Sequence, residues 1–320
     1  MSHGPGHTGH AHPVTAQTDR RWLLGALVVI VVFMVGEVVA GLLAHSLALI
    51  TDAGHMVTDA AAIGVAILAS RIAQRPARGA FTYGFARVDA LSGQANGITL
   101  LLLAIWFVFE GVRRLVDPGP VHGGVVTVVA LIGAAVNVLA TWLARRADRS
   151  SLNVKGVLAH LLTDIWAFLA TFVAGVVILW SGWMRADAVA SLIVAALMAW
   201  TGWALVHAAG RVFLEAAPSG IDPNVLGDQM AAVDGVAEVH DLHVWQIGSG
   251  EGAASAHVLV SPPHDCHEVS SRLREMLADA YGIAHVTLQA DHADTAGRAD
   301  GHDAGNCVDA HGVVHIAPTK

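Results

Sequence analysis

SLALITDAGHMVTDAAAIGVAILAS, residues 46–70, decides how this chain is read. A bilayer core asks for about 20 mainly apolar residues, and this stretch supplies them while also carrying Asp52, His55 and Asp59. Ionisable groups within a span cost about 2.5–3.5 kcal/mol each on insertion scales, so they are functional candidates by default. Five further stretches of similar character lie near residues 22–44, 90–113, 122–144, 156–180 and 186–208. The whole chain, 320 residues, is 54% hydrophobic and only 14% charged, too apolar for an ordinary soluble domain. Its first span follows a polar His-rich arm and is longer than the apolar core of a signal peptide, so a retained helix is expected there.

Span two contains His55-Met56-Val57-Thr58-Asp59, and span five contains His160-Leu161-Leu162-Thr163-Asp164, the same H-x-x-T-D twice. Residues four apart share a helix face at about 5–6 Å, so each helix offers an imidazole and a carboxylate in one direction. With both termini in the cytoplasm these two helices run antiparallel, which sets His55 level with Asp164 and Asp59 level with His160. Two nitrogens and two oxygens suit a tetrahedral Zn²⁺, whereas an all-oxygen cage suits harder cations. Two carboxylates also offset the charge of a dication held in hydrocarbon. The alternative is that these groups only hydrogen-bond helices together, but carboxylates are costly for that purpose when Ser or Thr would serve. Glu37, Asp89, Asp187 and Asp52 are read as helix contacts or caps.

Orientation follows from Lys and Arg, which stay on the cytoplasmic side in short loops. Arg20 and Arg21 precede span one, Arg71, Arg75, Arg78 and Arg87 follow span two, and Arg145, Arg146, Arg149 and Lys155 follow span four. The other side has little more than Arg113, Arg114 and Arg185. Both termini are therefore expected in the cytoplasm, where Cys266 and Cys307 would not form a structural disulfide. The net charge of −8, with no basic aromatic-interleaved patch, makes nucleic acid a poor partner.

At SLALITDAGHMVTDA (46–60), FTYGFARVDAL (81–91), NVKGVLAH (153–160), VHDLHVW (239–245), SAHVLV and HVTLQAD the chain resembles the cation diffusion facilitator family, in particular its bacterial zinc and proton antiporters. The resemblance covers roughly residues 20–292. It implies a homodimer of six-span protomers with a cytoplasmic domain, a tetrahedral transport site at His55, Asp59, His160 and Asp164, and alternating access in which protons drive metal out of the cytoplasm. A His at position 55 rather than Asp goes with zinc over cadmium in that family. An imidazole ligates metal only when neutral and titrates near about pH 6.5, so metal and proton compete for one nitrogen. The loop SRIAQRPARGAF (70–81) has no His or Asp, so the extra metal site of some relatives is expected to be absent. Ile165, Trp166 and Phe168 stand where relatives often have smaller residues.

From Ile221 the pattern changes. Asp222 and Pro223 open a helix, period-two strands follow near 236–247 and 253–260 around GSGEG, then a helix near 265–280 and a strand near 285–291. The expected fold is thus a membrane α-helical domain of six transmembrane helices (21–211) followed by a small cytoplasmic α+β domain (212–292) of order α-β-β-α-β, which the resemblance makes ferredoxin-like or metallochaperone-like. His240 and His257 are expected to meet across its sheet, with Asp291 nearby, as a regulatory metal site. In an unbulged strand His240 and His243 would point to opposite faces, and Gln289 stands where some relatives place a further His. The arm at 1–20, with His3, His7, His10 and His12, and the tail at 293–320, with His302, Cys307, His311 and His315, are expected to be disordered. The arm has the composition to collect metal weakly, and the tail is given no role.

Two rival classes are weaker. An intramembrane zinc protease needs a base as in H-E-x-x-H, and here Met56 and Leu161 follow the histidines. A membrane-anchored zinc sensor without transport leaves two ligand pairs in the bilayer unexplained. The expectation is a non-enzymatic, multi-pass plasma (inner) membrane exporter that has Zn²⁺ and protons as partners, lies in lipid, and uses no cofactor beyond zinc as substrate and regulatory ion.

Overall fold

The computed structural model describes residues 13–73, 75–144, 152–248, 251–293 and 312–318. Long helices come first: α1 (Pro13–Ala44), α2 (Leu47–Ala73), α3 (Val88–Val116), α4 (Gly123–Ala144), α5 (Leu152–Ser181) and α6 (Arg185–Phe213). There follow α7 (Pro223–Ala231), β1 (Val236–Gly248), β2 (Glu251–Val260), α8 (Cys266–Tyr281), β3 (His285–His292) and β4 (His315–Ile316). Among the described residues four stretches are long and apolar enough to cross a membrane, Val88–Val116, Gly123–Trp142, Asp164–Ser181 and Arg185–Phe213, and Val28–Ala44 is a shorter apolar run. The chain divides into two compact units, Met1–Gly64 with Asn96–Ala204 and Val65–Ala95 with Leu205–Lys320.

In the first unit the helices turn large apolar side chains outward, with Trp180 89% and Trp200 80% exposed, as a lipid-facing surface requires. Inside, small residues let helices approach. Gly175 of α5 lies so close to Thr127 of α4 that an added Cβ would come within 2.5 Å of its hydroxyl oxygen. Gly133 of α4 leaves room for the ring of Phe168, which meets Phe33 of α1 edge-on at 5.8 Å between centroids. Gly202 of α6 faces the backbone of Gly97 on α3.

The chain passes from α1 to α2 through His45, whose φ of 55° is the left-handed conformation that usually ends a helix. The Ser46 N–H donates back to the Gly41 carbonyl at 3.1 Å, closing that turn. The start of α1 differs from expectation: the helix begins at Pro13, within the arm expected to be disordered. Hydropathy reports burial rather than helix formation, and Pro at the first helical position is preorganised for a helix even in a polar segment.

The second unit contains a four-stranded sheet of order β3-β2-β1-β4. Strands β1 and β2 are antiparallel, β2 and β3 parallel, and β1 and β4 antiparallel. Leu226 and Met230 of α7 and Leu273 and Leu277 of α8 close over Val239, Val244, Ala254 and Val258 to form the core. The Asp222 carboxylate accepts from the Asn224 N–H at 2.9 Å and Pro223 follows it, so α7 starts as expected. Asp265 accepts from the N–H groups of Glu268 (3.0 Å) and His267 (2.8 Å) at the start of α8, and these donors hold its carboxyl below the ordinary carboxylate value. The tail differs from expectation too, since β4 comes from residues expected to be disordered.

Candidate metal centre

His55 sits in the middle of α2, 7% exposed, and Asp164 lies on α5. Across the two helices His55 Nε2 stands 3.6 Å from Asp164 Oδ1. That exceeds the 2.7–3.2 Å of an N–H···O hydrogen bond. It is close to the separation of about 3.4 Å between two ligands that each lie about 2.1 Å from a tetrahedral ion. Asp59 and His160 occupy helical backbone one turn along from these two residues, and their side chains lie outside the described residues. The structure therefore brings together one imidazole and one carboxylate, from opposite ends of the two repeated motifs.

The surroundings of His55 explain other letters of the motif. The Thr58 hydroxyl donates to the His55 carbonyl at 2.7 Å, which satisfies a polar group locally in an apolar setting. Glu37 of α1 and Asp52 of α2 are both buried and face each other, the helix contact expected of them.

The N-terminal end of α2 is held by a residue far along the chain. Asp187, in the first turn of α6 and 1% exposed, accepts from the Leu47 N–H at 2.6 Å, from the Ala48 N–H at 3.4 Å and from the Ser46 hydroxyl. Ser46 Oγ in turn accepts from the Leu49 N–H at 3.2 Å. Three of the four N–H groups that every helix start leaves without intrahelical partners are thereby satisfied. One turn further, Thr51 donates its only hydroxyl proton to the Leu47 carbonyl at 2.7 Å, so Ser191 of α6 supplies the proton in the 2.7 Å Ser191–Thr51 contact. Helix α2 is thus fastened to α6 at two successive levels.

In the four-stranded sheet His240 and His257 are register partners with ring centroids 5.3 Å apart, so they meet as expected. The parity of β1 does not follow the unbulged pattern. His240 pairs with His257 while His243 pairs with Ser255, and Asp241, at φ 52°, takes up the extra residue. The bulge brings His240 and His243 to the same face. Asp241 lies between histidines, its Oδ1 3.1 Å from His243 Nε2 and its Oδ2 3.8 Å from His257 Nε2. Glu238 Oε1 approaches His240 Nδ1 to 2.9 Å, a close ion-pair contact rather than a directed hydrogen bond. Asp291 is instead engaged by Gln289, whose amide donates to it at 3.1 Å. Among the described residues no three His, Cys, Asp or Glu side chains are grouped closely enough to hold a metal ion. His240, His257 and Asp291 are therefore not assembled as a three-ligand site. Burial, followed by the nearby charges of Asp265 and Asp291, raises the Cys266 thiol above its ordinary value. Asp241 was not legible as a histidine partner, because its placement depends on the bulge, whereas Glu238 reaches His240 by the ordinary two-residue alternation of a strand.

Residues 23–214 match the model of the cation efflux transmembrane domain, and residues 218–293 that of the cation efflux protein cytoplasmic domain. The chain belongs to the cation efflux family. This cation efflux protein is 35% identical to the zinc transporter ZitB of Escherichia coli over 294 residues, 91% of this chain and 93% of that one. It is 33% identical to the metal cation efflux system protein CzcD of Cupriavidus metallidurans over 290 residues, 89% and 90% of the two chains. It is 31% identical to a cadmium, cobalt and zinc/H(+)-K(+) antiporter of Bacillus subtilis over 285 residues, 88% and 91%. A cation efflux protein is a multi-pass membrane transporter and not an enzyme.

Proposed function

We propose that the chain exports Zn²⁺ from the cytoplasm in exchange for protons, by alternating access at a tetrahedral site formed by His55, Asp59, His160 and Asp164. The observation that carries this reading is the 3.6 Å approach of His55 Nε2 to Asp164 Oδ1, within a shielded part of the helix bundle. Zinc is the substrate because the donor set is two nitrogens and two oxygens; ZitB, CzcD and the Bacillus antiporter bear names that agree with a metal cargo. The two carboxylates neutralise the cation while it is held away from water.

The site exchanges ions because an imidazole is occupied either by metal or by a proton. Facing a neutral cytoplasm, His55 and His160 lose their protons and take up the ion. Facing an acidic exterior, they are protonated and release it, and the return carries protons inward. The protein works as a homodimer with six spans in each protomer, and both termini lie on the cytoplasmic side of the inner membrane, as the Lys and Arg bias of the loops directs. The face carrying His240, His243, His257 and Asp291 is the place for a regulatory ion, with the missing ligands brought by the partner protomer or by rearrangement around the bulge.

Proteoliposomes containing the purified protein and a trapped zinc dye test this reading. An imposed pH gradient is expected to accelerate zinc flux about tenfold or more over matched pH, since a gradient of one pH unit is worth about 1.4 kcal/mol per proton. Flux indifferent to the gradient overturns proton exchange, and the absence of flux overturns transport.

A further inference from the structure

We propose that residues 312–318 form a C-terminal clip, in which a short strand closes the outer edge of the cytoplasmic sheet and His315 locks it into a socket made by Gly227 and Asp228 of α7. The clip lies beyond both stretches matched by the family, the second of which ends at residue 293.

Two independent sets of contacts place it. On the backbone, Ile316 pairs with Glu238 and His315 with Val239 in antiparallel register, and the Ala317 N–H donates to the Ala237 carbonyl at 3.1 Å. Without β4, strand β1 would be the sheet's free edge, with a row of unpaired N–H and C=O groups open to pairing with another chain. On the side-chain level, His315 is only 5% exposed although its neighbours Val314 and Ile316 are exposed. Its Nδ1 lies 2.7 Å from Asp228 Oδ1.

The socket explains an otherwise unfavourable residue. Gly227 is buried within α7, where glycine is disfavoured relative to alanine. A Cβ at that position would fall 2.3 Å from both Cδ2 and Nε2 of the His315 ring, so only glycine allows the ring to seat. In the docked clip Nδ1 is engaged by Asp228 and the ring lies against α7 at Gly227, so the imidazole anchors the strand.

The test uses the opposite signs of two effects. On helix propensity alone, Gly227→Ala stabilises α7. The clip requires the reverse: amide hydrogen exchange of residues 236–241 in the detergent-solubilised full-length protein rises about tenfold or more in Gly227→Ala and in His315→Ala. The double variant exchanges no faster than either single variant, because both remove one contact. A chain ending at Ala293 shows the same raised rate and no longer responds to Gly227→Ala with faster exchange. Exchange at 236–241 that is unchanged or slower in Gly227→Ala, or that is still accelerated by Gly227→Ala in the shortened chain, overturns the clip.

Discussion

Zinc flux through the Asp164→Ala protein is expected to fall at least about 100-fold, since the outer partners of metal ligands are already worth about 10–100-fold and a ligand is worth more. In the proposed site Asp164 is one of two carboxylates facing the ion, and its Oδ1 stands 3.6 Å from His55 Nε2. The change removes both a ligand and a negative charge from a place where a dication needs them. Asp164→Asn separates this role from simple helix bonding. Asparagine keeps the shape of aspartate and one acceptor oxygen, with an amide donor in place of the other, but not the charge, so a transport site loses flux in both variants. If Asp164→Asn carries zinc at close to the original rate in dye-loaded proteoliposomes, Asp164 serves only as a hydrogen-bonding strut between α2 and α5.

The second large effect is expected at the N-terminal end of α2. Asp187→Ala strips acceptors from the Leu47 and Ala48 N–H groups and from the Ser46 hydroxyl, all within a buried helix start. Each donor left unsatisfied costs about 1–3 kcal/mol, and the carboxylate also complements the positive end of the α2 dipole. A loss of about 3 kcal/mol lowers the thermal midpoint of the detergent-solubilised protein by roughly 6–12 °C, taking about 2–4 °C per kcal/mol. Asp187→Asn retains one acceptor oxygen and recovers part of the loss. An Asp187→Ala protein that melts with the original midpoint shows that water or another group satisfies the α2 start, and that the tie to α6 is dispensable. Because α2 bears His55 and Asp59, loosening this anchor also lets the ligand helix shift, and flux falls with stability.

These two residues mark the boundary of what can be read without coordinates. His55 and Asp164 were legible because an intramembrane carboxylate and imidazole four residues apart are expensive, and their cost singles them out against an apolar background. The same cost flagged Asp187 and assigned it to a cap or contact. It could not name the helix being capped, because Ser46 is 141 residues away and no periodicity links them. The close helix approaches at Gly133, Gly175 and Gly202 were silent for a similar reason, since a glycine within an apolar run carries no sign of the side chain it makes room for.

In the cytoplasmic domain the order α-β-β-α-β was legible from a change of period and from the helix start at Asp222 and Pro223. The bulge at Asp241 was not. An aspartate in left-handed conformation is uncommon, and nothing in VHDLHVW fixes which residue takes up the additional place. That one residue decides whether His240 and His243 share a face, so the arrangement of these histidines depended on a feature that alternation alone does not supply. The two-residue β4 lay in a polar tail whose composition reports only that it has no core of its own. Its hold comes from Gly227 and Asp228, which precede it by more than eighty positions.

The central claim, that α2 and α5 together enclose a single zinc ion, is tested most directly by anomalous diffraction at the zinc absorption edge from crystals of the zinc-loaded protein. The expected map has a peak between His55 Nε2 and the Asp164 carboxylate, completed by Asp59 and His160, with all four ligands about 2.0–2.2 Å from the ion. A map with zinc bound elsewhere in the protein and no peak between these two helices contradicts the account.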